Sequence, residues 1–230
     1  MSTGILGLDQ LLRGGLPAGS MSLVLGAPGS GKSALGKQFL YEALTKKRQA
    51  VLLDTHESLS LAKETMASFE WDMTLLDSIL FVDCYSWRTG GGDAKYSGNP
   101  QSLTSLSITI SDLLKKERIE PNSRARLVID SFSDVVVHGG MESAVKFLEL
   151  LKARLAERRV TSMVMLEEGL HEAKTNAAIE YITDGTIRMR YEEVGRSLMA
   201  SRMVATPVTL KWIPFTLARG IELEAVNFFR

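Results

Sequence analysis

The chain has 230 residues, of which 45% are hydrophobic and 23% charged, and its 27 Lys+Arg balance 27 Asp+Glu to a formal net charge of +0. This is globular composition, without the global basic excess that drives nonspecific binding to nucleic acid or anionic membranes. The longest apolar runs, such as Met21 to Leu25 and Ala50 to Leu53, fall far short of the ~20 residues of a membrane-spanning helix, and no signal-peptide core follows Met1-Ser2-Thr3-Gly4. A cytoplasmic protein without a membrane partner is expected.

In chain order, apolar strand-length runs at 21–27, 49–55, 79–85, 126–132 and 161–167 alternate with helical patterns at 32–45, 58–70, 101–118 and 142–158. The last helix is marked by Ala144, Phe147, Leu148, Leu151 and Leu155 at core spacing. Such alternation predicts an α/β fold, a doubly wound parallel sheet covered by helices on both faces. After residue 184 the pattern changes to short strands, Thr186 to Tyr191, Ser197 to Val204 and Thr209 to Trp212, which read as an antiparallel edge. With no internal repeat or long linker, residues 1–230 read as one domain. The lone cysteine, Cys84, falls in the run 79–85 and reads as a packed, inert thiol. Ser86 to Pro100 is glycine-rich and expected to be a mobile connection. Its Trp87, Arg88, Lys95 and Tyr96 suit either a partner-binding loop or plain solvation.

Gly26-Ala27-Pro28-Gly29-Ser30-Gly31-Lys32-Ser33 matches the phosphate-loop pattern in full, between a strand-like run and an amphipathic stretch. Glycines let successive backbone N–H groups converge on phosphate at the positive end of a helix. Lys32 supplies a point charge to the β/γ oxygens of ATP, and Ser33 offers its hydroxyl to Mg²⁺. Leu127-Val128-Ile129-Asp130 supplies the expected second half, an acid at the end of a buried strand that holds Mg²⁺ through its water shell.

The run from Thr3 to Ser20, with Gly7-Leu8-Asp9 and Gly14-Gly15-Leu16-Pro17, stands directly before this loop and resembles the KaiC/RadA branch of the RecA-type ATPases. The resemblance continues through Glu57-Ser58, Ser68-Phe69-Glu70-Trp71-Asp72, Val128-Ile129-Asp130-Ser131 and Tyr181-Ile182-Thr183-Asp184-Gly185. It implies a single KaiC-like domain with a RecA-like sheet that binds Mg-ATP, commonly between the subunits of a ring, hexamer-like, or a filament.

Two departures from the family pattern bear on activity. In KaiC-like proteins a pair of glutamates usually ends the strand after the phosphate-loop helix, the first of them activating water. Here the strand reads Leu52-Leu53-Asp54-Thr55-His56-Glu57-Ser58, with His56 in the first position and Glu57 as the remaining candidate base or a mere helix cap. The family also carries a Lys-Met-Arg-Gly-Thr segment that reaches a neighbouring subunit's nucleotide. This chain has Arg202-Met203-Val204-Ala205-Thr206, so Arg202 stands in for the first cation and Val204 cannot replace the second. Both departures weaken hydrolysis more than binding, because they act on charge that develops during transfer.

Glu167 and Glu168 end the strand after that of Asp130, where RecA-type proteins place a γ-phosphate sensor, and read as either a sensor or a solvated turn. His138 and His171 fall in predicted loops with no ligand-spaced partner, so neither reads as a metal ligand. The expected function is an ATP-binding protein with slow hydrolysis that organises a homo-oligomer. The alternatives are a recombinase paralogue binding single-stranded DNA, and a protein autokinase. The first is disfavoured because the segments 133–142 and 167–174, which would contact DNA, hold Lys174 as their sole Lys or Arg. The second is disfavoured because the family's phosphorylated hydroxyls lie in a further C-terminal domain.

Overall fold

The computed structural model describes residues 1–90, 92 and 94–223. Helix α1 (Leu6–Leu11) precedes β1 (Met21–Gly26), and α2 (Lys32–Thr45) leads into β2 (Ala50–Asp54). The next crossover holds α3 (Leu59–Ala67) and the single turn α4 (Met73–Leu76) before β3 (Leu80–Asp83); a 3-10 turn (Ser86–Thr89) and the short β4 (Tyr96–Ser97) follow. Then come α5 (Leu103–Lys116), β5 (Arg126–Asp130), α6 (Phe132–Gly139), α7 (Met141–Glu157), β6 (Thr161–Glu167) and α8 (Ala173–Ile182). The chain closes with β7 (Gly185–Glu192), β8 (Gly195–Met203), β9 (Ile213–Leu217) and β10 (Ile221–Leu223).

The strands form one sheet in the order β10-β9-β8-β7-β1-β6-β5-β2-β3-β4. Pairing is parallel from β7 through β1 to β4 and antiparallel from β7 to β10. Because successive side chains point to opposite faces, each central strand feeds two cores. Val24, Leu52, Val128, Met163 and Met165 pack with Leu35, Phe39 and Leu40 of α2. Leu23, Leu25, Leu53, Leu127, Ile129 and Leu166 pack with Leu106, Ile110 and Leu113 of α5 and with Leu148 and Leu151 of α7. Strands buried on both faces must be apolar throughout, which is why the central runs are so legible.

Several expectations change. The run 58–70 is not one helix: α3 stops at Ala67, Glu70 takes φ +62 and Asp72 caps α4 by accepting from the Thr74 N–H at 2.9 Å. Phe132 is not in a strand but opens α6, capped by Ser131, whose hydroxyl accepts from the Ser133 N–H at 3.1 Å. The segment 133–142 is therefore mostly helix, and His138 lies in that helix with its ring edge-on to Trp87, centroids 5.6 Å apart. Residues 173–182 also form a helix, burying Thr175, Ile179 and Ile182 at helical spacing.

The strand expected at Thr209 to Trp212 is absent. Leu210 is 71% exposed, and the strand begins at Ile213, where Ile213 and Phe215 alternate into the core. Within 86–100, Tyr96 and Ser97 pair with Val82 and Asp83 as an edge strand, and Tyr96 is buried. Lys95 and the Tyr96 hydroxyl both donate to Glu117. The expectation of mobility there falls partly on Gly91 and Asp93, outside the described residues. Cys84 is wholly buried, and that burial, with Asp83 nearby, pushes its thiol well up. Among the described residues no helix is long and apolar enough to cross a membrane.

Helix α2 lies tight on the sheet at Gly36, where an added Cβ would meet Met165 Cε at 2.4 Å and Val128 Cγ1 at 2.9 Å. Gly36→Leu is expected to lower stability by about 1–3 kcal/mol through overpacking, read as an earlier urea midpoint. An unchanged midpoint would show that this approach is not tight in solution.

Candidate functional site

The site starts where β1 ends. An added Cβ at Gly26 would lie 2.3 Å from the Met189 carbonyl oxygen of β7, so a glycine is needed for the chain to turn out of the sheet. Gly29 (φ +76) and Gly31 (φ +100) then adopt left-handed backbone that other residues take at a cost. Gly31 is the N-cap of α2 and has no side chain to cap it, so the first N–H groups of the helix are left facing the loop. Arg196 of β8 donates from Nε to the Gly29 carbonyl at 2.9 Å and braces the loop from outside.

Lys32 is 5% exposed. Its ammonium donates to the Ala27 carbonyl at 3.0 Å and to Glu167 Oε2 at 2.8 Å. Glu167 thus sits at the phosphate loop, its own N–H donated to Ser133 Oγ at 2.8 Å, while Glu168 turns to Arg188 at 3.5 Å. The Ser30 hydroxyl is buried and finds no partner.

Asp130 ends β5 in register with Asp54 at the end of β2. Both are buried. Burial raises the Asp130 carboxyl, and the Ser33 hydroxyl and the Lys37 ammonium oppose that rise. Burial, then the charge of Asp130, pushes Asp54 up to about 7. Asp54 Oδ1 accepts the N–H groups of His56 at 2.8 Å and Glu57 at 2.9 Å, so it shapes the turn that presents both side chains.

Glu57 Oε2 accepts from Lys37 Nζ at 2.5 Å, and Glu57 Oε1 from the Thr65 hydroxyl at 3.4 Å. Lys37 is 1% exposed, one helical turn beyond Ser33, an ammonium buried in the core-facing side of α2. His56 Nε2 lies 3.4 Å from Asp134 Oδ2, and Arg88 reaches the same oxygen at 3.3 Å while donating to the Thr55 carbonyl at 3.1 Å. The bond to Asp134 raises the imidazole above its ordinary value of 6.5, against the lowering effect of burial. Arg202 is turned back onto the chain, its guanidinium donating to the Glu180 carbonyl at 2.5 Å and the Thr183 carbonyl at 2.6 Å at the end of α8.

The structure therefore brings Lys32, Ser33 and Asp130 together, sets Glu57 beside them on Lys37, and holds Arg202 away on α8. Sequence reading missed Lys37, Asp54, Asp134 and Arg196. Lys37 had a signal, a lysine on the buried stripe of α2; Asp54 had one in its place at a strand end. Asp134 and Arg196 had none, since their roles come only from the folding of α6 and β8. A cavity of about 300 Å³ runs from the loop past Lys37 and Glu57 to Thr65, Phe69 and Leu217.

An uncapped helix N-terminus, a buried ammonium, a hydroxyl beside a carboxylate and an unpartnered Ser30 Oγ form a donor set suited to phosphate oxygens and a divalent cation. A model of the KaiC ATPase family matches residues 1–223. The chain belongs to the KaiC ATPase family. Similar proteins include a UPF0273 protein of Pyrococcus furiosus, 27% identical over 230 residues, covering 96% of this chain and 92% of the relative. A UPF0273 protein of Aeropyrum pernix is 29% identical over 232 residues, covering 96% and 92%. The crystal structure of a KaiC-like protein from Pyrococcus horikoshii shares the fold, with a TM-score of 0.78, 24% identity and 98% coverage of each chain.

The His56 environment makes a direct test. In the wild-type protein the imidazole is expected to titrate above 6.5. Replacing its main partner in Asp134→Asn leaves burial opposed only by the charges of Asp130 and Asp54 and should move the titration down. NMR of the His56 Cε1–H resonance against pH reads both; identical curves would remove Asp134 as the cause.

Proposed function

We propose that this KaiC-family chain binds Mg-ATP at residues 26–33, hydrolyses it slowly and uses the bound nucleotide to organise a homo-oligomer. The carrying observation is the convergence of Lys32, the open N-terminus of α2, and Ser33 with Asp130 at adjoining strand and helix ends. In this reading the backbone N–H groups from Gly29 to Ser33 take the β-phosphate oxygens, and Lys32 takes the β/γ oxygens. Ser33 and Asp130 would hold Mg²⁺, which when bound neutralises charge developing on the transferring phosphoryl group.

Slow turnover follows from what surrounds the missing glutamate. At His56, the bond to Asp134 favours the imidazolium, a form that has no lone pair to accept a proton from water. Glu57 is the remaining candidate base, and its carboxylate is already engaged by Lys37 and Thr65. A carboxylate so held can still orient water through its free lone pairs, within the geometry that Lys37 and Thr65 impose. In the proposed oligomer Arg202 is the cation offered to the neighbour's nucleotide, exchanging its bonds to α8 for phosphate oxygens.

Lys32→Ala should weaken ATP binding by about 10–100-fold, the loss of charge-assisted contacts worth roughly 1.5–3 kcal/mol, measured by calorimetry. His56→Glu should raise phosphate release above the wild-type rate. Particle size followed alongside, with ATP, ADP and no nucleotide, should report a larger species with ATP. A fast wild-type rate that is lost in Glu57→Ala and indifferent to His56 would overturn the slow-hydrolysis reading. A size indifferent to nucleotide would overturn the assembly reading.

A further inference from the structure

The crossovers that enter β1, β2, β5 and β6 meet at the N-terminal ends of these neighbouring strands, at the end of the sheet opposite residues 26–33. There a cavity of about 620 Å³ opens among Ala18, Lys46, Arg48, Asn122, Arg124 and Arg159. Its lining is basic and carries no aromatic ring. Of the nearby acids, Glu42 pairs with the lining Lys46 and so offsets its charge, Glu117 is held by Lys95 and Tyr96, and Asp9 accepts from Ser2 and Thr3. Arg48, Arg124 and Arg159 have no acidic partner among the described residues.

A second observation adds to this charge. Arg126, the first residue of β5, is fully buried, its guanidinium stacked 4.5 Å from the centroid of the Phe39 ring and donating one N–H to the Phe39 carbonyl. Its Nε and second terminal nitrogen have no hydrogen-bond partner. Burial, opposed by the charge of Glu42 and helped by repulsion from Arg48, brings it down to about 10. The protein thus holds Arg48, Arg124, Arg126 and Arg159 near one another with no acid paired to any of the four among the described residues, although Glu42 and Asp9 act on Arg126 from a distance. Helix dipoles explain only part of it: α2 and α7 end here and favour cations at their C-termini, but Arg124 follows no helix, since α5 ends eight positions earlier at Lys116.

We propose that this cavity binds a small oligophosphate, a chain of linked phosphate groups, through Arg48, Arg124 and Arg159. Guanidinium forks match phosphate oxygens two at a time, and clustered cations on low-dielectric walls concentrate a multiply charged anion. The volume falls within the range of small-molecule sites. With no ring to stack a base, the site reads phosphate groups and not a nucleoside. It is independent of the Mg-ATP reading, because it shares no residue with the phosphate loop.

The probe is inorganic tripolyphosphate, titrated calorimetrically into the full chain carrying Lys32→Ala, which weakens the phosphate loop as a competing site. That protein is expected to keep one tripolyphosphate site whose affinity falls steeply with added salt. Adding Arg48→Gln, Arg124→Gln and Arg159→Gln should weaken it by about tenfold or more, and Arg124→Gln alone, at an exposed position outside both cores, by about threefold. ATP should bind this second site no tighter than tripolyphosphate. No binding by the Lys32→Ala protein, or binding indifferent to the arginine substitutions, overturns the proposal. ATP binding tighter than tripolyphosphate would mean that a base is read, and a single-stranded oligonucleotide binding tighter still would mean a nucleic-acid surface; either result overturns it too.

Discussion

One buried ammonium makes the site possible. Asp54 and Asp130 stand side by side at the ends of β2 and β5, and Glu57 arrives three residues beyond Asp54. Burial drives both aspartates toward protonation, the charge of Asp130 adding to the rise at Asp54 and that of Glu57 to the rise at Asp130. Lys37 lies 1% exposed at their centre, paired with Glu57 and opposing the rise at both aspartates. Its position is dictated by the helix: Lys32 and Ser33 begin α2 at the loop, and a residue one turn beyond Ser33 lands between the helix and the strand ends. The same helix therefore supplies the phosphate-facing cation and the charge that balances the acids behind it.

Around that pair the fold acts as a frame. Parallel strands buried on both faces deliver their C-terminal residues to one edge, the arrangement by which open α/β sheets gather ligand sites. Asp54 does more than add charge, because its carboxylate accepts two successive N–H groups and so fixes where His56 and Glu57 point. Asp134 does the same from the first turn of α6, collecting His56 and Arg88. Arg88 is tied to the site and Tyr96 to the sheet edge.

The central strands and the phosphate loop were legible in the sequence because both are written locally, one as unbroken apolar runs and the other as glycines at fixed offsets. Helices α6 and α8 were not, since Phe132-Ser133-Asp134-Val135-Val136 reads equally as a strand end or a loop until Ser131 caps it. The strand at Ile213 was hidden by Pro214, which weakens a strand reading although it is tolerated here in a short outer strand. The partnerships of Arg202 and Arg196 were also invisible, because both depend on how an antiparallel hairpin folds back on the sheet. The Lys37–Glu57 pair joins residues 20 positions apart and has no sequence pattern of its own.

The contact between Lys32 and Glu167 has a kinetic meaning. The ammonium expected to meet phosphate is already satisfied by a carboxylate and a carbonyl, so an arriving anion enters by substitution and not into open space. Part of its binding energy goes into displacing Glu167, and the displaced carboxylate is left within reach of the same lysine. When an anion departs, Glu167 can return to its place. On the proposed nucleotide-binding reading, the resting contact would compete with phosphate for Lys32 and so favour exchange of a ligand over its retention.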